Sequence, residues 1–196
     1  GAFRQLMCQV CVLPNPETFE GGDGADERDA GALSALDALL TERGQSIAAL
    51  IIEPMMQGAG GMKFCRPSFL KRLVERVQRA GVLVIFDEVA TGFGRTGTLF
   101  ACEQAGIAPD FLCLSKGITG GTLPLSVVLT SDDIYQAFYD DYAKMRAFLH
   151  SHSYTGNALA CRAALATLSI FESRDVLTEV RAKGAAMEAA AAPLRD

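Results

Sequence analysis

Two residues of opposite charge, Asp87 and Lys116, stand at the exits of short apolar runs in the middle of the chain. Asp87 closes Val82-Leu83-Val84-Ile85-Phe86, and Lys116 follows Phe111-Leu112-Cys113-Leu114-Ser115. Such runs read as strands buried on both faces, and parallel sheets bring functional groups together beyond the carboxyl ends of their strands. A lysine held among apolar residues has its ammonium form disfavoured, which leaves an amine able to attack a carbonyl and form a Schiff base. A nearby acid can keep a pyridinium nitrogen protonated. Those are the two services that a pyridoxal phosphate (PLP) enzyme asks of its protein. Asp and Lys at strand ends also form ordinary surface pairs, and the pair alone leaves both readings open.

The elements that must position this pair alternate strand and helix. Leu6–Leu13 reads as a strand and 14–29, rich in Pro, Gly and acids, as an exposed loop. Leu33, Leu36, Leu39 and Leu40 recur at helical spacing up to Gly44, and 47–52 is a short apolar strand. Pro67-Ser68 opens a helix that buries Phe69, Leu70, Leu73, Val74 and Val77 and stops at Gly81. Strands ending at Asp87 and over 111–114 and 125–130 come next. A helix capped by Ser131-Asp132-Asp133 and two further helices close the chain. This order predicts an α/β fold, a mainly parallel sheet with helices on both faces.

Composition narrows the function classes. The chain has 196 residues, 49% of them hydrophobic, enough to bury a core in one domain. A net charge of -5 argues against nucleic acid as a partner, and apolar runs of at most six residues leave nothing to span a membrane. The start, Gly1-Ala2-Phe3-Arg4, has neither an initiator Met nor an apolar leader, so the chain reads as a piece or a trimmed form rather than a secreted protein. Cys8-Gln9-Val10-Cys11 is formally C-x-x-C, but no second pair or His cluster completes a metal site. The scattered Cys65, Cys102, Cys113 and Cys161 read as reduced thiols in a cytoplasmic setting.

Gly92-Phe93-Gly94-Arg95-Thr96-Gly97 satisfies G-x-G-x-x-G, so a dinucleotide-binding turn is the natural rival. Against it, 87–91 intervene between strand and glycines and put an acid where a pyrophosphate would be repelled. The whole segment, Asp87-Glu88-Val89-Ala90-Thr91 running into those glycines, lies upstream of Ser115-Lys116-Gly117, with Lys116 29 positions after Asp87. Together with 99–103 and Ile118-Thr119-Gly120-Gly121 it closely resembles the class III, or subgroup II, aminotransferases of PLP fold type I. The resemblance runs from about Asp26 to about Glu172.

The resemblance implies PLP as cofactor, with Lys116 its covalent anchor and proton carrier, Asp87 facing the ring nitrogen and Val89 packed on the ring. It implies that His150-Ser151-His152-Ser153-Tyr154-Thr155-Gly156-Asn157 is the segment that meets the cofactor phosphate of a partner subunit in a homodimer, through Ser153 and His152. His152 also reads as a loop histidine with no role. Ser151 and Arg95 are candidate substrate contacts, with Arg95 reading equally as a brace of the interface loop, and Glu53 is matched in relatives by a Glu paired with an arginine near the substrate. Relatives acting on 4-aminobutyrate or ornithine usually have Gln where this chain has Ala90. Ala90 therefore favours the biotin-pathway branch, whose small-molecule substrates are 8-amino-7-oxononanoate and, as usual donor, S-adenosylmethionine, with lysine in some members. The resemblance further implies that 1–196 is the central part of the large domain, flanked in relatives by an N-terminal segment and a C-terminal small domain.

Overall fold

A computed structural model of the chain describes residues 8–18 and 23–194. Helix α1 spans Ala25–Arg43, strand β1 Ala49–Ile52, the short β2 Met56–Gln57 and β3 Lys63–Phe64, and helix α2 Pro67–Arg79. Strands β4 (Leu83–Asp87), β5 (Phe111–Leu114) and β6 (Val127–Thr130) precede helices α3 (Asp132–Gln136), α4 (Ala158–Ser173) and α5 (Val176–Ala191). The main sheet runs β1-β4-β5-β6, and β2 pairs with β3 in an antiparallel ribbon that periodicity did not reveal. Two residues per strand are too few to carry a period.

The first three strands of the sheet are parallel, with Ile52 beside Phe86 and Asp87 beside Cys113. The predicted strand over 125–130 begins at Val127 and runs antiparallel to β5. Its connection from β5 holds a 3₁₀ turn at Lys116–Thr119 rather than a crossover helix, so the chain turns back on itself. Cys8–Leu13 forms no regular element, while Leu6 and Met7 of that expected strand lie outside the described residues. Helix α1 begins inside the expected loop, at Ala25, because Asp26 and Glu27 suit a helix N-terminus and Asp29 is drawn inward.

The core lies on one face of the sheet. Val84 and Phe86 of β4, with Leu50 and Ile52 of β1 beside them, pack under Leu33 and Leu36 of α1 and Phe69, Leu70, Leu73, Val74 and Val77 of α2. Arg66 and Pro67 start α2, the proline at a position where its missing N–H costs nothing. Asp29 is wholly buried and accepts hydrogen bonds from Arg66 (2.5 Å), Arg72 (2.9 Å) and Thr18 (3.3 Å), tying α1, α2 and the segment before them together. A smaller cluster of Leu114, Ile118 and Ala164 seats α4 beside the turn after β5. Because successive side chains alternate and paired residues share a face, Ile51, Leu83, Ile85, Asp87, Phe111, Cys113 and Val128 occupy the other face. Ile51, Leu83 and Val128 are 67%, 38% and 58% exposed, so that face is open among the described residues.

Candidate active site

The parallel pairing of β1, β4 and β5 brings Glu53, Asp87 and Lys116 to one edge of the sheet, the edge where all three strands end. Glu53 accepts a hydrogen bond from Gly58 N at 3.2 Å, which holds it against the loop before β3. Asp87 uses one carboxylate oxygen, Oδ1, to accept from Val89 N at 3.0 Å; its Oδ2 has no partner among the described residues. Cys113, its neighbour across the ladder, has its thiol pushed up from the ordinary range by burial and then by the charge of Asp87.

Lys116 leaves β5 at the sheet edge with a left-handed φ of 42°, a conformation in which non-glycine residues are strained. Its amine makes no ion pair or hydrogen bond with the described residues, unlike Lys63, paired with Glu17, and Lys144, 3.0 Å from Asp140. The sequence suggested a lysine enclosed by apolar side chains. The structure corrects this: Lys116 is exposed, because it lies beyond the last residue of β5 that the core covers. Around it the backbone is firmly held. Ser115 Oγ donates to Leu125 O at 2.7 Å, Thr119 Oγ1 to Leu123 O at 2.6 Å, and Gly121 N to Lys116 O at 3.2 Å.

The segment after Asp87 is built from the inside. Glu88 N continues the ladder by donating to Cys113 O at 3.0 Å. Alternation turns the Glu88 side chain to the covered face, where it is wholly buried and accepts from Thr91 Oγ1 (3.0 Å), Ala101 N (2.8 Å) and Cys102 N (2.9 Å). Cys102 sits against it, its thiol pushed up to about 12 by burial first and the Glu88 carboxylate second. Phe93, at φ 57°, lies between Phe100 (ring centroids 5.8 Å apart) and Phe171 of α4 (6.3 Å). Gly117 completes the fit, since a Cβ there would stand 2.9 Å from Phe93 Cβ and Cδ2. Residue-type reasoning passed over Glu88, Ser115 and Gly117. For Glu88 the signal was present: the residue after a strand-terminal acid faces the opposite way.

Of the other candidates, only Val89 lies at this edge. Val89 is half-buried beside Asp87, and Arg95 is exposed in the glycine-rich loop. Ser151, His152 and Ser153 are exposed just ahead of α4, where His152 Nδ1 accepts from Tyr154 N and His152 N donates to Thr155 Oγ1, both at 3.1 Å. The described contacts join none of the three to Asp87 or Lys116 of the same chain.

The family model for class III aminotransferases matches residues 2–195. The chain belongs to that family. Among relatives of this aminotransferase chain, the adenosylmethionine-8-amino-7-oxononanoate aminotransferase of Helicobacter pylori is 52% identical over 180 residues, covering 92% of this chain and 40% of that protein. The protein of the same name from Synechococcus elongatus is 47% identical over 177 residues, covering 90% and 41%. The crystal structure of the Methanocaldococcus jannaschii protein of that name superposes with a TM-score of 0.73 at 38% identity, over 78% of this chain and 36% of that one. An amine transaminase from an uncultivated Pseudomonas species, in its PLP-bound form, gives 0.70 at 40% identity over 78% and 34%. The aminotransferase chain thus spans about two fifths of the length of the curated relatives it matches.

Proposed function

We propose that the complete protein is a PLP-dependent aminotransferase that moves an amino group onto 8-amino-7-oxononanoate, giving 7,8-diaminononanoate in biotin synthesis, with S-adenosylmethionine as donor. The reaction class rests on one observation above all: neighbouring parallel strands present a carboxylate with a free oxygen and an unpaired amine at the same sheet edge. The choice of substrates rests on the names of the relatives and on Ala90. Residues 1–196 then form the central part of the large domain.

The residues at this edge fit the cofactor. Lys116 would hold PLP through its amine. Asp87, with Oδ1 tied to Val89 N, would offer Oδ2 to the ring nitrogen, and Val89 would pack on the ring. Bound PLP supplies an electron sink for the charge left when a proton leaves the substrate carbon. The work left to this chain is local. Lys116 takes that proton and returns it, Asp87 keeps the ring nitrogen charged, and Arg95 and Ser151 orient substrate. In a homodimer the exposed Ser153 and His152 would reach the partner's cofactor phosphate, near the N-terminus of α4, where backbone N–H groups favour an anion. The second copy would close the open side of the site.

The test is chemical. Borohydride reduction of the complete protein with PLP should fix the cofactor on Lys116, and Lys116→Ala should abolish the link while the fold survives. Finding the adduct on Lys63 or Lys144 would overturn the assignment.

A further inference from the structure

We propose that Glu88 is a positioning residue for Asp87: its buried carboxylate fastens the end of β4 so that Asp87 stays aimed at the open face of the sheet. The inference rests on the reading of Asp87 as partner of the PLP ring nitrogen. Adjacent residues of an extended segment point to opposite faces, so whatever fixes the direction of the Glu88 side chain fixes that of Asp87. Few arrangements fix a side chain more firmly than a buried carboxylate whose oxygens are all engaged. Oε2 accepts from Thr91 Oγ1 and Ala101 N, and Oε1 from Cys102 N.

The bonds reach in two directions. Through Thr91 they close the turn that follows Asp87, which Gly92 N reinforces by donating to Glu88 O at 2.9 Å. Through Ala101 and Cys102 they bind the 3₁₀ helix at Ala101–Ala105, whose start lies against the glycine-rich loop. That helix already has its own acid, since Glu103 accepts from Phe100 N at 2.8 Å. The two N–H groups that Glu103 does not reach are the ones that Glu88 takes. Thus one acid ties together the strand carrying Asp87, the loop after it and the helix beyond. A rotation of Glu88 would strand three donors in the interior, so β4 is held against twisting at the residue next to Asp87.

A double-mutant cycle in the complete protein tests this, with Glu88→Gln, Asp87→Asn and both together. The readouts are the PLP dissociation constant and the circular dichroism that bound PLP acquires from its asymmetric site. Glutamine keeps the shape of Glu88 but sets an NH₂ against a donor. It should therefore raise the PLP dissociation constant about tenfold and weaken the induced dichroism, while in the Asp87→Asn background it should add less than about twofold. An equal factor in both backgrounds, or a lowered melting temperature with the dissociation constant and dichroism unmoved, would show that Glu88 is merely structural. Should Glu88→Gln fail to fold, Thr91→Val runs the same cycle, with about a threefold effect expected alone and none beside Asp87→Asn. If Asp87→Asn by itself leaves PLP binding and dichroism untouched, the reading of Asp87 fails and takes the inference with it. An additive cycle on a defective Asp87→Asn protein sinks the role of Glu88 alone.

Discussion

Gly117→Ala is the sharpest test of how the Lys116 turn is packed. An added Cβ would lie 2.9 Å from Phe93 Cβ and Cδ2 and 3.1 Å from its Cγ. Carbon atoms rest at about 3.5–4.0 Å, so Phe93 must recoil by roughly 0.6–1.1 Å. It has little room to do so, with Phe100 and Phe171 against its ring and a left-handed backbone beneath it. Overpacking of this kind costs about 1–3 kcal/mol, and the entropy that Ala removes from the unfolded chain returns about 0.4–1 kcal/mol. The expected net loss is about 1–2 kcal/mol, read as a lower urea midpoint at unchanged slope in the complete protein. Phe93→Gly destabilises in its own right, but it removes the Cβ as well as the ring and so vacates the space, and Gly117→Ala added to it should cost nothing. Gly117→Ala as stable as the unsubstituted protein, or equally costly with and without Phe93, would refute the packing argument.

Asp87→Asn preserves shape but removes the charge proposed to face the ring nitrogen, so turnover of the complete protein should fall by orders of magnitude; a loss of only a few-fold would make Asp87 structural. Ser153→Ala should raise the PLP dissociation constant by about one to two decades, for one lost charge-assisted hydrogen bond. Mixing Lys116→Ala with Ser153→Ala subunits should restore activity toward half, because in the proposed homodimer with shared sites a mixed dimer gathers both defects in one site; no recovery despite subunit exchange would place Ser153 in its own subunit's site. Burial pushes the thiols of Cys65 and Cys102 up to about 11 and about 12, so both stay neutral and unreactive through pH 9. Iodoacetamide at pH 8 should label the exposed Cys8 and Cys11 first and reach Cys65 and Cys102 only on unfolding, as peptide mapping would show.

The parts of this fold that were readable from sequence are those with a long enough period. Helix α2 shows its apolar stripe from Phe69 to Val77, and β4 and β5 show as unbroken apolar runs that end in charge. Asp87 and Lys116 could be singled out because a charge at the end of such a run is conspicuous. The direction of β6 was not readable, since it depends on how the chain turns between Ser115 and Val127 rather than on the composition of the strand. Cys8–Leu13 is apolar enough for a strand but forms none, for a strand needs a neighbour as much as a propensity. Lys116 looked enclosed because apolar residues precede it in sequence, but neighbours along the chain are not neighbours in space. Glu88 was hidden by its adjacency to Asp87: two acids in a row look alike until alternation sends one to the core and the other to the open face.

The left-handed backbone of Lys116 has a consequence for anyone who would evolve or redesign this protein. At φ 42° the residue that fits the turn best is glycine, whereas the proposed chemistry needs a primary amine. A screen that rewards thermal stability alone, or a sequence-design calculation that sees only the backbone, is therefore drawn toward removing the lysine. Stability and chemistry pull in opposite directions at one position, so a glycine found there in a distant homologue would mark a protein that had kept the scaffold and given up the reaction.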